Sequence, residues 1–333
     1  MADPGPCWPP DRGADPITTR VSPPAPPNGP SAPAVPLVVI TVAHHSGAVL
    51  PALAGDLARQ TPPPPLWLVV DNSPKSAPVR GDTLPLDQGA GSPPSLHLLR
   101  GGEGEGFGAG CNRALDWLES RGWMGWVWLL NPDTALPRGD EVGRLGEALA
   151  SLSPRSVVGT AVADDTGTLE ASGGWFSAGL RFRARRLPPP GGPPRRQAVD
   201  WLSGCSLALR PSAHTPPARF DPAFPLYYED MDLCLRLGRL GAPVLWLPEP
   251  RVTHRRGQGS GSPSPRRFRL STVSYLRFLR RQCPAWVLWL RSLRVLATAL
   301  VRFPLQPGRS RAVLAGALEA WTGRDQARGG AGR

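Results

Sequence analysis

The polar residues that could do chemistry stand where apolar runs break off. Asp133 closes the stretch Trp126-Val127-Trp128-Leu129-Leu130-Asn131-Pro132-Asp133, and Asp71 follows the run Leu66 to Val70. Glu229, Asp230 and Asp232 open a leucine-striped segment, and His254 comes after the last apolar run, Val244 to Leu247. An acid just past a strand sits at the edge where open α/β sheets bind ligands, and Asp71 at such a place suits the hydroxyls of a ribose or the edge of a base. Between these acids lies a glycine-dense stretch, Gly101 to Asn112, in which Gly104, Gly106 and Ala109 fit a loose G-x-G-x-x-G/A pattern. Its exposed amides could meet a diphosphate at a helix N-terminus. Each feature also has a plainer reading. Asn-Pro-Asp-Thr is good turn chemistry, glycine density makes a flexible loop, and an acid at a helix start can be a cap. Capping explains one acid better than the three at 229 to 232.

The elements that must position these residues alternate strand and helix. Trp126 to Leu130 is too short for a typical helix and rich in aromatic and branched residues, which predicts a strand covered on both faces. Pro132 ends it and leaves Asp133 just past its carboxyl end. Leu37 to Val42, Leu66 to Val70, Leu96 to Leu99, Val157 to Val162 and Val244 to Leu247 read as further strands. Helices are expected over about 47–60, from Asn112 through Leu118, over about 139–152, and from Glu229 to Gly241, where Leu233, Leu237 and Leu240 form one stripe. This is a parallel βαβ pattern. Val199 to Arg210 reads as a polar loop entering a strand, with Gly204 a point of close approach. Trp201 could stack on a sugar or sit in the core. Residues 163–198 show little periodicity and read as long loops over one face of the sheet.

At 333 residues, with five widely spaced cysteines and no Cys-x-x-Cys pair, the chain is neither a disulfide scaffold nor a structural zinc protein, which points to a reducing, cytoplasmic setting. The net charge of +12 is uneven: residues 1–250 carry 21 Lys+Arg against 24 Asp+Glu, and residues 251–333 carry 17 against 2. A tail of +15 calls for an anionic partner, nucleic acid or lipid surface. Residues 1–36 form a Pro-, Gly- and Ala-rich leader without an apolar signal core, expected to be disordered.

Four motifs in order carry a resemblance: Leu-Leu-Asn-Pro-Asp at 129–133, Phe-Asp-Pro-Ala-Phe at 220–224, Tyr-Glu-Asp-Met-Asp-Leu-Cys-Leu-Arg at 228–236, and His254 with glycines soon after. The chain resembles family 2 glycosyltransferases with the GT-A fold, especially the rhamnosyltransferase-like branch, over roughly residues 37–260. The resemblance implies a Rossmann-like α/β fold: a mixed, mostly parallel central sheet with flanking helices, followed here by a C-terminal helical extension at 261–333. It implies that Thr41 and Asp71 line a nucleotide pocket closed by the 106–112 loop with Gly106 and Asn112. Asn131, Trp201, Gly204 and Glu229 are assigned to the same donor site. Asp133 matches the last acid of the family's Asp-x-Asp motif and His254 a second contact to a divalent cation, Mg²⁺ or Mn²⁺. Asp230 matches the catalytic base. Two positions depart from the pattern: Asn131 replaces the first acid of that motif, and Ala43 stands where a small polar residue is usual. The expected activity is inverting transfer of a sugar, rhamnose by analogy with the branch, from a nucleoside diphosphate to a glycan or lipid-linked acceptor.

The tail predicts two helices over 265–303, parted near Pro284, and a mobile Gly- and Arg-rich end from 304. In the second helix Arg291, Arg294, Thr298 and Arg302 fall within roughly an 80° arc beside a broad apolar face. That suits a helix lying in an anionic membrane surface, at the inner face of the plasma membrane, or one packed on the catalytic domain. Two other functions stay in view. A nucleic-acid-binding protein with a degenerate catalytic domain would account for the charge but lacks interleaved base-stacking motifs, so nucleic acid is not the expected partner. A nicotinamide-dependent oxidoreductase would use the glycines at 104–109, but its fingerprint belongs on the first βα turn, and two strands precede this one.

Overall fold

Alternation within β1 (Leu37–Ala43) sets the layering of the molecule. Val38, Ile40 and Val42 turn to one hydrophobic layer and Leu37 and Val39 to the other, the period of two that a pleated strand imposes. The computed structural model describes residues 35–86, 94–177, 183–186, 196–255 and 264–323; the leader up to residue 34 and the last ten residues lie outside them. The first layer is filled by α2 (Phe107–Ser120) and α4 (Glu229–Arg239), the second by α1 (Leu50–Ala58) and α3 (Glu141–Ala150).

Between the layers runs a nine-stranded sheet. The parallel strands are β1, β2 (Leu66–Asp71), β3 (Ser95–Arg100), β4 (Trp126–Leu130), β6 (Val157–Ala163) and β12 (Val244–His254), in the order β3-β2-β1-β4, then β6-β12. β11 (Ser206–Leu209) lies between β4 and β6, antiparallel to both. β5 (Thr134–Ala135) and β9 (Gln197–Ala198) each add to β12 antiparallel. The expected mixed, mostly parallel sheet with helices on both faces is therefore the observed fold.

The structure corrects three of the expectations. Residues 163–198 are not only loops: β7 (Gly173–Ser177), β8 (Arg183–Arg186) and β10 (Trp201–Leu202) form a second, three-stranded sheet. β12 does not stop at Leu247; its ladder to β6 skips from Leu247 to Arg251, because Pro248 and Pro250 cannot donate, and then resumes. His254 is consequently in the strand rather than after it. Residues 307–322 are not part of a mobile end, since α7 (Pro307–Thr322) packs against α5 (Pro265–Gln282) and α6 (Ala285–Arg302). Its buried side is Ser310, Ala312, Gly316, Ala317 and Ala320, a stripe of small residues that a hydrophobic-period reading passes over. A methyl group on Gly316 would stand 2.4 Å from the Arg269 carbonyl oxygen, so the two helices pack backbone to backbone.

The C-terminal extension is helical, as expected, and α5 packs on the α/β fold: Val273, Leu276, Phe278 and Leu279 are buried, and Phe278 lies with its ring 5.1 Å from that of Tyr228. Arg277 Nη1 donates to the Ala223 carbonyl at 2.8 Å, and Arg281 pairs with Asp221. The helix thus clamps residues 221–228, the segment that leads into α4.

Candidate active site

The two-residue strand β5 explains how distant residues meet. Pro132 ends β4, the chain turns, and Thr134 pairs with His254 at the far end of β12. Arg255 N–H donates to the Asp133 carbonyl at 2.9 Å, and the Asp133 and His254 side chains face each other, Oδ1 to Nε2, at 3.3 Å. His254 Nδ1 lies 3.1 Å from Glu170 Oε2. Burial works against a charge on this imidazole, and the carboxylates of Asp133 and Glu170 outweigh it, so its pKa is raised. A carboxylate on the second ring nitrogen is the arrangement that orients a metal-binding histidine. Glu170 was not foreseen, because it stands in the aperiodic stretch after β6.

Asp230 is held from another direction. α4 begins after Tyr227 and Tyr228, both in the left-handed region at φ 65° and 67°. For bulky side chains this backbone is strained, typically by about 1–3 kcal/mol each. The chain leaves this pair of residues with the Asp230 carboxylate at the turn at 203–205. Gly204 N–H donates to Asp230 Oδ2 and Met231 N–H to Oδ1, both at 2.8 Å. Burial nevertheless raises the Asp230 pKa against these bonds. The same turn reaches β4, for the Cys205 carbonyl accepts from Asn131 N–H at 3.1 Å. Gly204 also has no room for a side chain, since a methyl there would meet Phe107 at 2.8 Å. One tight turn therefore joins the end of β4, the start of α2 and the start of α4.

The glycine loop is fastened to the strand ends. Gly106 forms the N-cap of α2, and a methyl on it would stand 1.9 Å from the Pro225 carbonyl oxygen. Asn72 is fully buried; its side-chain amide donates to the Glu105 carbonyl at 3.0 Å, and its backbone carbonyl accepts from Gly104 N–H at 3.1 Å. Arg266, from α5, donates to the Gly104 carbonyl at 2.7 Å. Neither Asn72 nor Arg266 carried a sequence signal of its own.

Several expected donor-site residues have their polar atoms committed elsewhere. Thr41 is fully buried, its hydroxyl accepting from Trp67 Nε1 at 3.0 Å, so its side chain lines no open pocket. Trp201 is a core residue packed with Leu233 and Cys234 rather than a sugar platform. Asn112 is a two-way clamp on the backbone of Phe220, giving and receiving at 2.8 Å. Glu229 is buried beneath α2, with a methyl on Gly108 reaching within 3.5 Å of its Cβ. Burial and the charge of Asp230 push its pKa up to about 8. Asp71 accepts from Ser73 N–H and Val79 N–H, both at 2.9 Å, and from Arg100 at 2.7 Å. Burial opposes its charge, but those bonds win and its pKa is lowered. Asp232 is the third acid of the cluster; it is buried in an ion pair with Arg236 at 2.6 Å, which removes it from the site.

No family model matches the chain. Over 283 residues it is 26% identical to the N-acetylglucosaminyl-diphospho-decaprenol L-rhamnosyltransferase of Mycobacterium tuberculosis (strain CDC 1551 / Oshkosh), spanning 77% of this chain and 87% of that protein. The chain is thus rhamnosyltransferase-like over most of its length. It is also 32% identical over 84 residues to rhamnosyltransferase WbbL of Escherichia coli (strain K12), covering 25% of the chain and 32% of the relative. Among solved structures it is similar to GalNAc-T7 with UDP, GalNAc and Mn²⁺, at 14% identity and a TM-score of 0.48 over 75% of this chain and 51% of that one. It is likewise similar to residues 1–349 of S. aureus TarS with UDP-GlcNAc, at 18% identity and a TM-score of 0.45 over 73% and 67% of the two chains.

Proposed function

We propose that this transferase moves a sugar, with inversion, from a nucleoside diphosphate to a hydroxyl group of a lipid-linked glycan. The name of the mycobacterial relative specifies L-rhamnose and a decaprenol-linked acceptor, and the same classes are the first to try here, with dTDP-rhamnose as donor. The reading is carried by the turn at 203–205, which ties Asp230 to the strand end that bears Asn131 and Asp133.

In this reading the acceptor hydroxyl gives its proton to Asp230 as its oxygen attacks the anomeric carbon and the bond from that carbon to the diphosphate breaks. A carboxylate raised in pKa by burial is a stronger base than a solvated one. The two bonds from Gly204 and Met231 fix its orientation and leave lone pairs for the proton. The diphosphate leaves with the bonding electrons, and no sugar–enzyme bond forms. A divalent cation, Mg²⁺ or Mn²⁺, would stabilise the departing charge. Asp133 Oδ1 and His254 Nε2 fit such an ion, with Glu170 fixing the tautomer that turns the Nε2 lone pair toward it. Asn131 brings no charge, so phosphate oxygens of the donor would have to supply the ion's other ligands. The backbone of the Gly104–Gly106 loop would meet the phosphates, and Asp71 would face the nucleoside only with its bonds to Ser73 and Arg100 retained. The acceptor sets the place of work: a peripheral protein on the cytoplasmic face of the plasma membrane.

Titration with dTDP, UDP, GDP and NADH, each with and without Mn²⁺, tests the class. A diphosphate nucleotide binding more tightly with Mn²⁺, and NADH not binding, is the expected result; NADH binding alone would overturn the reading. Asp230→Asn should lower turnover by about 10²- to 10⁴-fold with donor binding kept, the range for a general base.

A further inference from the structure

The broad apolar side of α6 splits in two in the folded chain. Val287, Leu288, Ser292 and Ala299 are buried against the neighbouring helices. A second stripe faces outward: Trp289, Leu293 (62% exposed), Leu300 (62%) and Val301 (78%), continued by Leu305 (85%) in the turn to α7. Among the described residues, every exposed large apolar side chain except Met124, Tyr227 and Leu240 lies on α6, α7 or the turn between them. The patch is continuous across the two helices, because the rings of Trp289 and Trp321 lie 4.7 Å apart. Contiguous exposed apolar surface on this scale marks an interaction site.

We infer that this α6–α7 face docks onto an anionic lipid surface. Charge selects the occupant. Arg294 and Arg302 are exposed on α6 in the arc beside the apolar stripe, and the last 83 residues carry 17 Lys+Arg against 2 Asp+Glu. A second copy of the chain would bring two faces of the same sign together, whereas anionic headgroups complement the arginines while acyl chains take the leucines. Tryptophan at the margin of the patch suits headgroup depth. Among the described residues no helix is long and apolar enough to cross a membrane, so α6 lies in the surface rather than through it. Docking would also orient the active site. α7 packs on α5, and α5 clamps residues 221–228 ahead of Asp230. The inference gives a surface to the peripheral location proposed above, and its test reads vesicle binding, which nucleotide titration does not touch.

The full chain is sedimented at low salt with vesicles of phosphatidylcholine alone or mixed with phosphatidylglycerol. It should pellet with the mixed vesicles and be released by high salt. Leu293→Asp with Leu300→Asp should weaken binding by about 10-fold or more. Both positions are exposed, so the melting temperature should stay at the parent value; Val301→Asp with Leu305→Asp provides an independent pair. Arg294→Glu with Arg302→Glu should abolish the salt-sensitive part. Failure of the parent to sediment, or parent-like binding by both aspartate pairs, would overturn the inference. So would a dimer in light scattering that the Leu293 and Leu300 pair dissociates, which would make a second copy the occupant.

Discussion

Asp230 and Glu229 are adjacent in sequence and differ in surroundings. Asp230, largely buried, receives two backbone N–H bonds, whereas Glu229 is buried and its Oε2 has no hydrogen-bond partner among the described residues. Environments that separate two carboxyl groups in this way assign one the charge and the other the proton. Because burial raises the Asp230 pKa, the acidic limb of the kcat/KM profile should lie above the ordinary carboxylate range, and Asp230→Asn should remove that limb along with most of the rate. Glu229 should be visible in stability instead. Its folded pKa of about 8 exceeds its ordinary 4.5, so the folded chain keeps a proton that the unfolded chain releases. Stability is therefore highest below 4.5 as far as this group is concerned and is lost as pH rises toward 8. Glu229→Gln should flatten that loss and, near pH 8, exceed the parent on the order of a few kcal/mol in urea unfolding. At this scale the sequence marks which acids matter more clearly than what each does. Asp133, Asp230 and His254 could be singled out by their places after or before apolar runs. That Thr41, Asn112 and Trp201 are occupied by Trp67, Phe220 and the core depends on partners far along the chain, which no local pattern encodes.

At the level of elements, the strands and helices with a clear period were legible within a few residues, since a run such as Trp126 to Leu130 has only one way to bury itself. Short and small-residue elements were not. β5 has two residues and no period, yet it brings Asp133 to His254. α7 hides behind alanine and glycine, whose burial leaves little hydrophobic contrast. The segment clamped by α5 is the element on which the site most depends, and two substitutions should expose this. Phe278→Ala removes a fully buried ring from beside Tyr228 and should cost about 3–5 kcal/mol in denaturant unfolding. Gly106→Ala forces a methyl against the Pro225 carbonyl oxygen, which is backbone and cannot rotate away. It should cost about 1–3 kcal/mol and lower turnover more than a matched surface substitution such as Gly122→Asn, since it pries the glycine loop from the segment ahead of Asp230.

For the whole molecule, strand order places the ends of β1, β2 and β4 along one edge, and the glycine loop, the turn at 203–205 and the start of α4 gather there. Three separately fastened segments meeting at one edge make a site whose ligand would bridge them, so binding should stabilise the entire fold rather than one loop. A ligand that binds only the folded chain adds about 2.7 kcal/mol at ~100-fold excess over its Kd. For a chain of this size that is a rise of several degrees in Tm. With dTDP and Mn²⁺ together the rise should exceed the sum of the two alone, because the cation proposed here has only Asp133 and His254 from the protein and needs phosphate oxygens to complete its shell. Asp133→Ala should erase the excess while leaving the nucleotide-only shift, which the glycine loop and the end of β2 would carry in the proposed site. An excess that survives Asp133→Ala would move the cation to other ligands; additive shifts in the parent would mean that nucleotide and metal bind apart.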